Sequence, residues 1–165
     1  MDRASLRGKV QTVAGLIDPS KLGNVLMHEH LLCDIRTPTM KKSNVKDPEI
    51  TLQNRHAIDY GRMPHAMQYV MDMKDIAIVE MESLIQVGGQ SLVELTCGGI
   101  KPDPRGLLDI QLATGVNVVM GCGYYVEEYQ EEENHRRKPE DFAREMVTQI
   151  LDGAWGTDIR AGIIG

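Results

Sequence analysis

Short apolar runs closed by glycines or polar turns alternate along this chain with longer stretches whose apolar residues recur at three- and four-residue spacing. The first strong run, Gly23-Asn24-Val25-Leu26-Met27-His28-Glu29-His30, reads as a strand. Before it, Lys9 to Val13 alternates loosely and Asp18-Pro19-Ser20 signals a turn, which predicts a short strand or hairpin. Residues 34–64 are polar and broken by Pro38, Pro48 and Pro64, which predicts a long loop with room for a short helix. Ala66 to Val87 reads as one helix, with Ala77, Ile78, Met81, Leu84 and Ile85 on one face and Asp75, Glu82 and Gln86 largely opposite. Gly88-Gly89 ends it, and Ser91 to Thr96 follows as a strand. Asp103-Pro104 is a capped helix start, and Thr114-Gly115 is its stop. Val116 to Gly121 is a third strand, Glu127 to Lys138 a solvated charge run, and Pro139 opens a helix with an apolar face of Phe142, Met146, Val147 and Ile150. Ala161 to Gly165 reads as a fourth strand.

Strand and helix therefore alternate, and the strands are apolar enough to be covered by helices on both faces, which is the pattern of a parallel α/β protein. An open doubly wound sheet and part of an eight-stranded barrel both satisfy it. In either, chemistry collects at the carboxyl ends of the strands, where His28, His30, Cys97, Cys122 and Tyr125 fall.

Composition narrows the class of partner. With 18 Lys plus Arg against 24 Asp plus Glu, the net charge of -6 disfavours nucleic acid and anionic membrane surfaces, leaving a small-molecule partner. Met1 to Gly8 lacks an apolar leader core, no run approaches transmembrane length, and three cysteines form no disulfide framework; cytoplasmic placement is the expectation.

In an extended strand His28 and His30 point to one face and Glu29 to the other, so two imidazoles stand together as candidate metal ligands. Two nitrogens are only half of a zinc ligand set. His56, His65 and His135 are scattered in polar segments and are read as solvated rather than as ligands.

Five segments in order, Gly8 to Val13, Leu26 to Leu31, Gly88 to Val93, Gly121 to Tyr125 and Gly162 to Gly165, resemble the phosphotriesterase-related proteins of the amidohydrolase superfamily along nearly the whole chain. The resemblance implies a (β/α)8 TIM-type barrel with two divalent metals, usually zinc, at the carboxyl end of its strands. It assigns His28 and His30 to the more buried metal, and puts the remaining ligands on strands four, five, six and eight. It implies hydrolysis of an ester, lactone, amide or phosphoester by a metal-activated hydroxide. It also suggests Tyr125 as a wall of the substrate pocket, with Tyr124 free to face the helix layer instead; Cys97 and Cys122, at neighbouring strand ends, are read as buried small hydrophobes or as contacts to a ligand or to each other, and Cys97 is the candidate for a substrate contact. Lys101-Pro102-Asp103 departs from the Gly-Arg-Asp or Gly-Arg-Asn of relatives, so no arginine contact carries over.

A complete barrel takes about 250 residues, so these 165 are read as an N-terminal half. Its parts are an N-terminal strand and strand one over 9–30, a long loop over 31–65, and βα units to strand four over 66–165. Such a half, with an unpaired strand edge, is expected to form homo-oligomers or to pair with the missing half, and to be inactive alone. The alternative is a non-catalytic member of the same barrel family that binds a small molecule or a partner.

Overall fold

The structure, a computed structural model, describes residues 3–42 and 47–165. Met1 and Asp2 of the N-terminal stretch and residues 43–46 of the predicted loop lie outside the described residues. In chain order the elements are α1 (Arg3–Leu6), β1 (Val10–Thr12), β2 (Gly15–Ile17), β3 (Val25–Glu29), β4 (Cys33–Asp34), α2 (Pro38–Lys42), α3 (Leu52–Asp59), β5 (Val70–Met71), α4 (Lys74–Gln86), β6 (Ser91–Glu94), α5 (Pro104–Thr114), β7 (Asn117–Cys122), α6 (Pro139–Leu151) and β8 (Ile163–Ile164).

The main sheet is parallel and its strands lie in the order β3-β6-β7-β8. Each strand sits beside the one before it, with no reversal of order. A doubly wound sheet requires that reversal; a barrel does not, and crossovers of one hand put the helices on one face. The architecture is thus that of a curled half-barrel. β6 and β7 are nearly without exposure, and Leu92, Val118 and Met120 join Leu107 and Ile110 of α5 in the main core.

The expectation of strands covered on both faces fails for β3 and β8. Each is an edge strand with one neighbour in this sheet, and Leu26, Met27 and Ile164 are exposed. The predicted N-terminal hairpin is present as antiparallel β1 and β2, and Val13 donates its N–H to the Val118 carbonyl at 2.9 Å, fastening the hairpin to β7.

Local signals at helix ends hold. Asp103 accepts the Gly106 N–H at 2.9 Å ahead of Pro104, and Gly115 closes α5 at φ 75°, a left-handed position that glycine adopts without cost. Other expectations need correction. The helix predicted from Ala66 begins at Lys74, because 66–69 is a 3-10 turn and Val70–Met71 pairs antiparallel with Cys33–Asp34. That pairing joins residues far apart in the chain, and Ile35 N–H to Tyr69 O at 2.9 Å extends it. The predicted loop is therefore closed at its base, carries α2 and α3, and is tied to the end of β6 by Lys41 Nζ donating to Gly99 O at 3.3 Å.

Ile85 is exposed rather than on the core face of α4, which is led by Ala77 and Met81, and Val147 is exposed on α6. His65 is buried, not solvated: its Nε2 lies 2.7 Å from Pro48 O and its Nδ1 3.5 Å from Asp47. The charge run is not wholly solvated either, since half-buried Arg137 pairs with Glu145 and lies 4.2 Å from the centre of the Phe142 ring. Among the described residues no helix is long and apolar enough to cross a membrane.

Candidate functional site

At the end of β3 the pairing with β6 runs Leu26 to Leu92 and then Glu29 to Glu94. β3 advances three residues where β6 advances two, so a β-bulge falls at Met27 and His28. Bulges re-aim side chains, and simple alternation does not anticipate this one. The two histidines still come together: their ring centroids are 5.6 Å apart, edge to face at 66°. His28 is exposed and His30 half-buried. Burial first, and then the neighbouring His28, hold His30 below the usual histidine range, favouring the neutral ring that binds metals.

Beneath His30 lies a polar chain that the sequence reading missed. His30 Nδ1 is 3.0 Å from Thr96 Oγ1, and the Thr96 hydroxyl donates a short hydrogen bond to Glu94 Oε1. Glu94 also accepts the N–H of Leu31 and that of Thr96, each at 3.2 Å. Its side chain has no exposed surface. Burial pushes its carboxyl up to about 7 while the three donors pull the other way; desolvation is the larger effect. A signal was available in the sequence, because Leu92-Val93-Glu94-Leu95 places a carboxylate in an otherwise apolar strand.

Cys97 and Cys122 are buried, and burial pushes both thiols up to about 11, so they behave as small apolar residues at neutral pH. Gly98 bridges to Tyr124 across the strand ends, and a Cβ on Gly98 would stand 2.6 Å from the tyrosine ring. That close approach is why glycine follows Cys97. The two tyrosines part company here. Tyr124 turns into the helix layer, donating to Glu145 at 2.7 Å, accepting from Arg137 at 2.7 Å and meeting the Phe142 ring edge-on. Tyr125 is exposed, rests on Tyr129 at 4.9 Å, and is fixed by its N–H to Gly98 O at 2.8 Å.

Two imidazoles at a strand end, one with its second nitrogen already held by a hydroxyl, fit part of a zinc ligand set. Among the described residues no group of three or more His, Cys, Asp or Glu is gathered that would complete it.

Comparison with known proteins agrees with this fold. The chain is 36% identical over 168 residues to the N-acetyltaurine hydrolase of Homo sapiens, covering 98% of this chain and 48% of the human protein. It superposes on the crystal structure of a resiniferatoxin-binding protein from Rhodobacter sphaeroides with a TM-score of 0.79 and 36% identity, over 96% of this chain and 46% of that one. A phosphotriesterase homology protein from Escherichia coli, solved with phosphate in its active site, matches with a TM-score of 0.66 and 26% identity, over 88% of this chain and 41% of that one. The chain spans about half the length of the curated relatives it matches. The family model described as the phosphotriesterase family matches residues 8–165, and on that match the chain belongs to the phosphotriesterase family.

Proposed function

We propose that the protein is a metal-dependent hydrolase of small molecules in which His28 and His30 are two of the metal ligands. The observation that carries this reading is the pair itself: two imidazoles 5.6 Å apart at the carboxyl end of a barrel-type strand. A bound divalent ion, zinc by ligand type, supplies Lewis acidity toward water and toward the substrate's carbonyl or phosphoryl oxygen. A complete site holds two such ions.

The chain's own residues bind and orient. His28 and His30 serve as ligands rather than as acid or base. Tyr125, exposed just after β7, walls the substrate, while Tyr124 braces the helix layer. Cys97, buried in the loop after β6, stays a protonated thiol.

Among amides, esters, lactones and phosphoesters, the name of the human relative favours an amide. The test is hydrolysis of N-acetyltaurine by the full gene product, followed by stripping with a chelator and reloading with zinc. Turnover lost on stripping and restored by zinc supports the reading; turnover that survives full stripping overturns it. A second reading is a non-catalytic binding protein, which the Rhodobacter protein's description favours. It predicts ligand binding with no product under the same conditions. We further propose a cytosolic, homo-oligomeric protein; the three buried free cysteines support a reducing compartment.

A further inference from the structure

A carboxylate with no exposed surface is expensive to keep inside a sheet, and it persists where its hydrogen bonds serve something. Glu94 is such a group, and among the described residues its polar neighbours are backbone and hydroxyl donors with no cation among them. In its ionised form Glu94 only accepts. It takes the Leu31 N–H and the Thr96 hydroxyl on Oε1 and the Thr96 N–H on Oε2.

The Thr96 hydroxyl has one hydrogen, and that hydrogen is spent on Glu94. Toward His30 Nδ1, at 3.0 Å, Thr96 Oγ1 has only lone pairs left to offer. Nδ1 must then carry the ring's hydrogen, which leaves the lone pair of the neutral imidazole on Nε2. Leu31, the residue after His30, is bonded to the same carboxylate oxygen, so Glu94 also fixes the backbone leaving the ligand.

We propose that Glu94 and Thr96 are positioning residues for His30, a directed chain in which the carboxylate orients the threonine hydroxyl and the hydroxyl holds the imidazole with Nε2 presented to the metal. This inference rests on the ligand role proposed above for His30. Remove the carboxylate and the hydroxyl is free to turn and donate to Nδ1, which moves the ring hydrogen to Nε2 and blocks the ligand atom.

Two readouts test it on the full gene product. The first needs no variant. Nitrogen NMR of the metal-free protein labelled at histidine, at about pH 8 where neutral imidazole dominates, is expected to show His30 protonated at Nδ1; an Nε2-protonated His30 overturns the proposal. The second is zinc affinity by chelator competition. Thr96→Val and Glu94→Leu are expected to weaken zinc binding by roughly 10- to 100-fold. Thr96→Ser keeps the hydroxyl, and Glu94→Gln keeps an oxygen able to accept from both Leu31 and Thr96, so both are expected to stay near wild type. Wild-type affinity in Thr96→Val and Glu94→Leu overturns the proposal. A His28→Ala, His30→Ala variant separates the two levels: if it loses zinc while Thr96→Val does not, the ligand assignment stands and the positioning chain falls. If it too binds zinc like wild type, both fall.

Discussion

Glu94 gives the structure a quantitative handle on pH. Its carboxyl is raised from 4.5 to about 7, chiefly by burial. Below about pH 4.5 folded and unfolded chains both hold the proton, and above about 7 both have released it. Between the two the unfolded chain is charged while the folded one resists charging, so stability falls as pH rises, by about 3 kcal/mol for the full gap. Glu94→Gln removes the titration while keeping size and most hydrogen bonds. The assay is urea unfolding of the metal-stripped full gene product and its Glu94→Gln variant at about pH 4.5 and about pH 8. The difference in stability, wild type minus variant, is expected to drop by about 3 kcal/mol from the lower to the higher pH. A difference that stays level or grows with pH refutes the reasoning, since it means that the three donors outweigh desolvation. Asp34 does not blur this window: the Arg36 guanidinium holds its carboxyl below 3.8, and its contribution is lost only as pH falls through that lower range.

Further expectations follow from single contacts. Gly98→Ala forces a methyl to within 2.6 Å of the Tyr124 ring and 3.1 Å of Gly123 O, so it is expected to cost about 1–3 kcal/mol in denaturant unfolding. Arg137→Ala removes an ion pair to Glu145, a hydrogen bond to Tyr124 and the stack on Phe142, for about 1–2 kcal/mol; a cycle with Tyr124→Phe should show coupling of at least about 0.5 kcal/mol. Cys97 and Cys122, buried with thiols near 11, are expected to react with a thiol reagent at neutral pH only after unfolding, as read by absorbance with and without urea. Tyr125→Ala is expected to raise KM with little change in kcat, as loss of a binding wall does.

The parts legible in the sequence are those with a local cause. Asp103-Pro104 and Gly115 cap α5 because a carboxylate, a fixed φ and a left-handed turn act within a few residues. The runs that became β6 and β7 announce themselves as apolar stretches buried on both faces. His28 and His30 stand out because two ligand-type residues share a strand end. What escaped has distant causes. Val70–Met71 is strand only because Cys33–Asp34 lies alongside it, which no local pattern at 66–71 reports. Arg137 belongs to the helix layer because Glu145 and Phe142 reach back to it from α6. Thr96 is oriented by Glu94, and only the fold shows that this pair stands beneath a histidine of the neighbouring strand.

Whether His28 and His30 hold a metal is measured directly by the zinc content of the purified full gene product beside that of its His28→Ala, His30→Ala variant, both shown to be folded by circular dichroism. Metal bound in the parent and lost in the variant is the predicted result. Equal zinc in the two proteins, or none in the parent after growth and purification with zinc supplied, would contradict it.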